Sequence, residues 1–439
     1  MSLHGERPLP LTKQQHLDPS HGPKRILSLD GGGIRGVLTL EYLDVIEETL
    51  KQRYANENLL LCDYFDLIGG TSTGSIIATG LACGMSVQAL KALYRNIGSS
   101  VFQSGWSTKL RLGGLLTPKF PAQPLQDALD HVLGADTTLD SDKIKTGLMI
   151  MTKRLDTGSP WPLHNSKSAR YAKQDGALRL TQIVRASTAA PTYFEPEQIA
   201  ISSRDGAVVS AAFVDGGVSP FNDPALQLLM LAALQGHGFR WRTGKDQLLL
   251  ISIGTGSLKK TKATQALLGM PAAEQGVRAL QSLMSDCAQV NHGMLQWLTN
   301  CLTPSVIDRA VGDMKLDSQA GPQLATYARY NVLLEEDWLN SELGMELAPD
   351  KITQISRMDD PTNIDDLAKL GQAAANGEII GPEAEISKNR GDGVGRERLL
   401  VRRKARLGAA GSVDHMAAEQ RDLAGRALVR FRHVATRSI

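Results

Sequence analysis

Two glycine-rich turns, each between a short apolar run and an amphipathic segment, constrain the fold of this chain more than any other feature. The first has the sequence Asp-Gly-Gly-Gly-Ile-Arg-Gly at 30–36 and follows the apolar residues 26–29. The second has the sequence Gly-Thr-Ser-Thr-Gly at 70–74 and follows the apolar residues 64–68. An apolar run that ends in glycine and continues with helical periodicity is typical of a strand, a sharp turn and a helix.

Short apolar runs alternate with helical patterns along the first 257 residues. This alternation predicts an α/β fold in which parallel strands are joined by crossover helices and the sheet is covered on both faces. Functional sites in such folds gather at the carboxyl ends of the strands. We expect both glycine turns and the sequence Asp-Gly-Gly at 215–217 to lie there. The predicted strands cover 26–29, 64–68, 148–151, 211–214 and 248–253.

Composition favours a cytoplasmic protein. The four cysteines show no Cys-x-x-Cys spacing, which is more typical of free thiols in a reducing compartment than of a disulfide scaffold. The first 24 residues are polar and contain four prolines, so they lack the apolar centre of a secretory signal. The apolar stretch 225–234 is too short to span a bilayer.

Ser72 is the first candidate catalytic residue. A serine in a Gly-x-Ser-x-Gly turn between a strand and a helix is held at a strained elbow, with its hydroxyl exposed as a nucleophile. Gly70 and Gly74 support this arrangement because the strand and helix backbones come too close for side chains. The pentapeptide alone is weak evidence, so its context has to support the assignment.

The first glycine turn predicts an anion site. Gly31, Gly32 and Gly33 leave backbone N–H groups open beside the positive end of a helix, and Arg35 adds a cation. In acyl transfer the anion would be the oxygen of the tetrahedral intermediate. The alternative is a nucleotide-binding site, since residues 31–36 also satisfy Gly-x-Gly-x-x-Gly. That alternative needs an acidic residue at the end of the next strand, which instead ends in Gly-Gly-Thr-Ser.

Two arrangements could supply a base for Ser72. Asp215 ends a predicted strand at the expected edge of the sheet, and Gly216 and Gly217 allow close approach. A triad of Ser72, Asp215 and His237 would follow the chain order of α/β-hydrolases. His237, however, follows an apolar helix closely, where a histidine is commonly a cap or surface group.

Taken together, five sequence blocks resemble those of the patatin-like phospholipases. The resemblance implies a three-layer α/β/α fold with a Ser72–Asp215 dyad, an oxyanion hole at Gly31, Gly32 and Gly33, and no metal or other cofactor. Because an aspartate of pKa near 4 is a poor base at neutral pH, burial or a hydrogen bond should shift its pKa on substrate binding. The blocks are 30–36, 70–74, 215–217, 252–256 and Ala-Ser-Thr-Ala-Ala-Pro-Thr-Tyr-Phe at 186–194.

The same resemblance implies hydrolysis of acyl esters, with membrane glycerophospholipids as substrate and action at the inner-membrane surface. Some bacterial relatives act in phage defence and are switched on by a cyclic nucleotide. An activating cyclic nucleotide is therefore one expectation for this chain, and restraint by a lid or by assembly into a homo-oligomer is another. The sequence predicts no specific nucleic-acid partner. At Ser75 the chain departs from many members, which have another glycine there.

The predicted organisation has three parts. Residues 1–23 form a flexible leader, and 24–375 form the patatin-like domain, with a sheet core over about 24–257 and a helical remainder over about 258–375. Residues 376–439 form a basic extension; from 388 onward it carries thirteen Lys and Arg against five Asp and Glu. The segment 97–125 is a lid, a lipid-facing loop or a surface connection. The segment 284–302 is an amphipathic helix whose apolar face should pack into the core.

Overall fold

A computed structural model describes residues 9–103, 120–202, 207–258, 268–315, 317 and 321–380. Within these residues nine strands form one mostly parallel sheet, which confirms the predicted α/β class. The strands are β1 (Lys24–Leu29), β2 (Leu67–Thr71), β3 (Gly147–Arg154), β4 (Pro160–His164), β5 (Glu197–Ser202), β6 (Val208–Asp215), β7 (Leu248–Ile253), β8 (Asn300–Cys301) and β9 (Thr326–Tyr330).

The spatial order of the strands is β5-β6-β3-β2-β1-β7-β9-β8, with β4 paired to β3. The pairs from β3 through β2, β1, β7 and β9 to β8 are parallel. The strands β4, β5 and β6 pair in the antiparallel sense. The prediction that 211–214 belong to a parallel strand is therefore wrong. The turn after β6 nevertheless lies at the expected edge of the sheet. β6 starts beyond the carboxyl end of β3 and pairs with it only over Phe213 to Asp215, so the last residue of β6 lies near the carboxyl end of β3.

Helices cover both faces of the sheet. Leu27 of β1 packs into one large core and Ile26 into a second core on the other face, since neighbouring strand residues point in opposite directions. The helices are α1 (Lys13–Leu17), α2 (Gly36–Tyr54), α3 (Leu61–Tyr64), α4 (Thr73–Ala82), α5 (Val87–Gln103), α6 (Gln123–Leu133), α7 (Ala172–Gly176), α8 (Leu180–Ser187), α9 (Ala225–Ala233), α10 (Ala272–Leu298), α11 (Glu336–Leu343), α12 (Pro349–Ile355) and α13 (Ile364–Ala375).

The two cores make the fold three-layered. The larger core holds side chains from α2, α4, α5, α6, α8 and α13, and the smaller core holds side chains from α9 and α10. No helix among the described residues is both long and apolar enough to cross a membrane.

The predicted flexible leader is partly structured. Within residues 9–23 lies α1, where His16 is fully buried and its Nδ1 lies 2.9 Å from Asp66 Oδ1. Lys24 Nζ donates hydrogen bonds to the carbonyl oxygens of Gln15 and His16. A buried carboxylate needs polar partners, and the leader supplies one for Asp66. Residues 1–8 lie outside the described residues.

The described fold continues past 375. A π-helical turn at Asn376–Ile380 packs on α2, and Tyr42 donates a hydrogen bond of 3.0 Å to Glu378 Oε1. Burial raises the pKa of Glu378 to about 8. The remainder of the predicted basic extension, 381–439, lies outside the described residues.

Candidate active site

Ser72 lies at a strained turn between β2 and α4. Its φ of +54° is one that residues other than glycine rarely adopt. A Cβ on Gly70 would overlap the carbonyl of Gly74, and a Cβ on Gly74 would lie 2.5 Å from the carbonyl oxygens of Leu29 and Asp30. The two glycines therefore occupy positions where no side chain fits, as the pentapeptide predicts.

Polar contacts hold the backbone of Ser72 on both sides. Its N–H donates to Ser187 Oγ at 2.9 Å, and the Ser187 hydroxyl donates to Met151 O at 2.7 Å. On the other side, Ser75 Oγ donates to Ser72 O at 2.6 Å. The serine that departs from the family pattern at 75 thus contacts the turn itself. Ser187 lies in the sequence block 186–194, but the sequence alone did not indicate its contact with Ser72.

The hydroxyl of Ser72 donates a hydrogen bond of 2.6 Å to Asp215 Oδ2. The other carboxylate oxygen, Oδ1, accepts a hydrogen bond of 2.7 Å from Gly217 N. Asp215 is 4% exposed, and burial raises its pKa to about 6 against the opposing effect of these two hydrogen bonds. The shift that the sequence placed on substrate binding is therefore already present without substrate.

Glycines after Asp215 allow the close approach that the sequence predicts. A Cβ on Gly216 would overlap the carbonyl of Met151 in β3, and a Cβ on Gly217 would lie 2.8 Å from Asn222 Oδ1. Asp215 pairs with Thr152 in the sheet, one residue beyond the pair formed by Met151 and Thr71. This register brings Asp215 next to Ser72.

The three glycines of the first turn are not equivalent. Gly31 lies beside the nucleophile, since a Cβ on it would lie 3.0 Å from Ser72 Cβ. Its N–H, however, already donates to Asn222 O at 3.1 Å, and its carbonyl accepts from Thr255 Oγ1 at 2.9 Å. The geometry thus differs from the expectation that Gly31 offers a free donor.

Gly32 and Gly33 are the better donors of this turn. The N–H of Gly32 makes only a long hydrogen bond, 3.3 Å, to Thr73 Oγ1. Within the described part of the chain, the N–H of Gly33 has no hydrogen-bond partner. The φ of Gly33 is +58°, which favours glycine. The Tyr94 hydroxyl donates a hydrogen bond to the Gly33 carbonyl and so fixes the backbone of the turn.

Arg35 borders the same cavity as Ser72. It lies at the start of α2, and its Nε atom is buried without a hydrogen-bond partner in the described residues. Burial lowers the pKa of Arg35 to about 10, so the guanidinium stays positive at neutral pH. This agrees with a supporting positive charge next to the glycine turn.

Arg329 of β9 contacts the turn from a part of the chain that sequence reasoning did not connect with it. Its two terminal nitrogens lie 3.0 and 2.6 Å from the two carboxylate oxygens of Asp30. The first of these nitrogens also lies 2.9 Å from Asp223 Oδ2 and 2.5 Å from Ser252 Oγ. Asp30 directly precedes Gly31, so the arginine anchors the start of the glycine turn. An arginine inside the apolar strand 326–330 was the available signal.

The alternative triad of Ser72, Asp215 and His237 does not form. His237 does not line the cavity that contains Ser72 and Asp215. Its ring lies 5.8 Å from that of His164, which in turn packs against Phe239. Among the described residues no histidine is hydrogen-bonded to Ser72 or Asp215.

A different histidine, His292 of α10, does line the cavity. Its Nδ1 lies 3.0 Å from Tyr327 Oη and its Nε2 lies 2.8 Å from Ser305 Oγ. Burial and the nearby Arg329 lower the pKa of His292 to about 4. Both ring nitrogens are engaged and the ring is neutral, so His292 is part of the wall and not the base.

The cavity around the dyad has a volume of about 2000 Å³. This exceeds the few hundred to a thousand cubic ångströms typical of sites for small ligands. Ile97 and Leu125, at the ends of the predicted lid segment, line it; residues 104–119 of that segment lie outside the described residues. An elbow serine paired with a buried carboxylate beside open N–H groups is typical of serine hydrolases.

Comparisons with known proteins identify the class more closely. The family model of the patatin-like phospholipases matches residues 27–229. Residues 27–229 are thus similar to the patatin-like phospholipases, and the relatives of the chain include a bacterial phospholipase and the patatins of Solanum tuberosum. The match ends after Asp215 and before Arg329.

The chain is 34% identical over 205 residues to the cGAMP-activated phospholipase of Escherichia coli (strain TW11681), a match that covers 47% of this chain and 55% of that protein. It is 28% identical over 324 residues to Patatin-04/09 of Solanum tuberosum, covering 68% of this chain and 83% of the patatin. The human GIVD cytosolic phospholipase A2 structure is 11% identical with a TM-score of 0.39, covering 82% and 60% of the two chains. The chain thus spans about half the length of its bacterial relative.

Proposed function

We propose that this protein hydrolyses fatty-acyl esters of glycerophospholipids through an acyl-enzyme on Ser72. The hydrogen bond of 2.6 Å from Ser72 to the buried Asp215 is the observation that carries the proposal. The large cavity around this pair and the similarity of residues 27–229 to the patatin-like phospholipases support a lipid as the substrate.

In the proposed mechanism Asp215 takes the proton of Ser72 as its Oγ attacks the ester carbonyl. A pKa of about 6 makes Asp215 a stronger base than an ordinary aspartate, while most of it remains ionised at neutral pH. The N–H groups of Gly32 and Gly33 would stabilise the oxyanion, and Arg35 would add positive charge. Loss of one such donor typically lowers the rate by two to three orders of magnitude.

The second half of the cycle uses the same groups. Collapse of the tetrahedral intermediate expels the lyso-lipid alkoxide, which takes the proton held by Asp215. Water then attacks the acyl-enzyme while Asp215 accepts one of its protons. Collapse of the second tetrahedral intermediate releases the fatty acid and expels Ser72 Oγ, which takes that proton back from Asp215. No step in this sequence requires a histidine.

The experiment compares the wild-type protein with Ser72→Ala, Asp215→Ala and His237→Ala on mixed phospholipid vesicles, with released fatty acids identified by mass spectrometry. We expect Ser72→Ala and Asp215→Ala to lose activity by at least a hundredfold and His237→Ala to keep it. An active Asp215→Ala variant beside an inactive His237→Ala variant would overturn the dyad and restore the triad.

Regulation by a cyclic nucleotide is part of the proposal, because the 34%-identical bacterial relative is described as cGAMP-activated. Gating would restrain a phospholipase that acts at the inner-membrane surface of its own host, as in a membrane-degrading phage-defence effector. Fatty-acid release should therefore rise at least tenfold with one member of a cyclic-nucleotide panel. Full activity of the protein alone would exclude gating while leaving the hydrolase assignment intact.

A further inference from the structure

One face of α10 exposes apolar side chains, although Leu295 of the same helix is buried in the smaller core. Leu283, Val290 and Met294 are 58%, 63% and 38% exposed, whereas Asn291 and Gln296 are buried. The three apolar residues are spaced by seven and four positions, so they share one face of the helix. A helix at a water-exposed surface normally turns its polar face outward. The predicted packing of the apolar face of segment 284–302 is therefore confirmed at Leu295, which is buried in the smaller core, and wrong at Val290 and Met294.

Hydrogen bonds to neighbouring loops fix this orientation. Asn291 Nδ2 donates to Pro220 O at 2.6 Å. Gln296 Nε2 donates to Ser305 O at 2.9 Å and to Asp313 O at 2.8 Å. Rotating the apolar stripe inward would break these bonds and leave buried polar groups unsatisfied. The outward position of the stripe is thus a consequence of the packing on the opposite face.

The inner face of α10 borders the catalytic cavity. Met284 and His292 line it, and the Met284 methyl group lies 3.4 Å from where a Cβ on Gly217 would be. Gly217 is hydrogen-bonded to Asp215. Because a helix with its side chains is roughly 10 Å across, the apolar stripe lies about one helix diameter from the dyad region.

A hairpin at 305–315 lies against α10 and extends the apolar surface to the edge of the cavity. Gln289 Nε2 in α10 donates to Ile307 O at 2.6 Å and holds the hairpin in place. Val306 and Val311 are 69% and 44% exposed, and Val306 also lines the cavity. The exposed Arg309 lines it too and offers a cation suited to a phosphodiester.

We propose that the outer α10 surface, formed by Leu283, Val290, Met294, Val306 and Val311, docks onto a glycerophospholipid bilayer. This inference rests on the proposed function, because a lipid substrate has to pass from a bilayer into the cavity that the same helix borders. Apolar side chains on one face of a helix that lies along a membrane insert among the acyl chains and headgroups. Arg309 at the cavity edge would contact the phosphates.

The binding experiment uses the full chain carrying Ser72→Ala, so that vesicles stay intact. It measures co-sedimentation with vesicles of phosphatidylcholine and phosphatidylglycerol for the parent and for Leu283→Ser/Val290→Ser/Met294→Ser. We expect the triple variant to bind at least tenfold more weakly. The matched control is Val208→Ser/Val209→Ser, which removes two exposed valines, 73% and 37% exposed, at the end of β6 remote from Asp215. It should bind within twofold of the parent.

Two further measurements keep the test decisive. Val290→Trp adds an indole at the surface without removing apolar area, and brominated lipid should quench its fluorescence beyond the quenching of the parent. Light scattering of the parent and the triple variant reports the oligomeric state. Equal vesicle binding by both proteins, or an added indole that is not quenched, would overturn the proposal. A parent dimer that becomes monomeric in the triple variant without loss of vesicle binding would assign the surface to a second copy instead.

Hydrolysis of a soluble short-chain ester separates this inference from the proposed function. In the active background the triple variant should hydrolyse the soluble ester within twofold of wild type and lose at least tenfold on vesicles. If wild type fails on both substrates while Ser72→Ala binds vesicles through the outer α10 surface, the hydrolase proposal falls and docking stands. If hydrolysis of both substrates is unaffected by the triple variant, docking falls and the hydrolase proposal stands.

Discussion

The guanidinium of Arg329 donates hydrogen bonds of 3.0 and 2.6 Å to the two carboxylate oxygens of Asp30. Asp30 directly follows β1 and begins the glycine turn, whereas Arg329 lies on β9, two strands away from β1 in the sheet. The same arginine reaches Asp223, whose neighbour Asn222 accepts the Gly31 N–H. One cation thus joins the two loops that flank Ser72.

Removal of this cation should damage both stability and catalysis. In Arg329→Met two buried carboxylates lose their partner, and we expect the free energy of unfolding in urea to fall by about 3–5 kcal/mol. Arg329→Lys keeps the charge but cannot bind Asp30 through two nitrogens. The Arg329→Lys variant should stay folded, and its kcat for a soluble ester should be about tenfold lower with little change in KM. The glycine N–H groups stabilise mainly the transition state, so their misplacement affects kcat more than substrate binding. A lysine variant with wild-type kcat would contradict a positioning role.

The proposed base predicts a pH profile. Since burial raises the pKa of Asp215 to about 6, kcat/KM should fall about tenfold per pH unit below 6 and be flat above it. His237→Ala serves as the control, because that histidine would otherwise explain a midpoint near neutrality. A profile whose midpoint moves in His237→Ala would speak against Asp215 as the base.

The same shift makes a prediction about stability. The folded protein holds the Asp215 proton with a pKa of about 6, whereas the pKa of an ordinary aspartate is 3.8. This contribution to stability is therefore full below pH 3.8 and is lost as pH rises through 6. Above pH 6 the buried carboxylate lowers stability by about 3 kcal/mol, at roughly 1.4 kcal/mol per pKa unit. Asp215→Asn should therefore be more stable than wild type at pH 8 by up to this amount, with a smaller difference at pH 4.5. Urea titrations at the two pH values measure it.

Gly70→Ala tests the elbow. The added methyl group would overlap the Gly74 carbonyl, so we expect activity below one hundredth of wild type and a fall of at least about 2 kcal/mol in the free energy of unfolding. Gly276→Ala is the matched control, because a Cβ at this position in α10 meets nothing within 4 Å. That variant should gain up to about 1 kcal/mol from helix propensity. Thermal denaturation and an ester assay check both.

Local sequence could predict the elbow because its chemistry needs local backbone geometry. Ser72 and the flanking glycines are recognisable within five residues, and the structure places the glycine turn beside them. The position of Asp215 at this edge was also predicted, although the strand before it was expected to be parallel. The antiparallel β6 still brings Asp215 to the carboxyl ends of the parallel strands, because it pairs with β3 over only three residues at the carboxyl end of that strand.

The residues that escaped prediction depend on partners distant in the chain. His16 in the leader is buried because Asp66, fifty positions away, needs a polar partner. The apolar stripe of α10 faces outward because Asn291 and Gln296 find hydrogen-bond acceptors on loops that the sequence does not identify. Periodicity shows that a helix has two faces, but not which face the neighbouring loops will cover.

The sequence by itself determined the α/β class, the strained serine, the glycine turn and the carboxylate beside them, because each is encoded in a short run of residues with narrow backbone requirements. Only the tertiary structure decided that the Gly31 N–H donates a hydrogen bond to Asn222 O, that Arg329 anchors the turn, and that His237 lies away from Ser72. Those outcomes depend on strand order and register, which arise from packing across the whole sheet and leave no local mark in the chain.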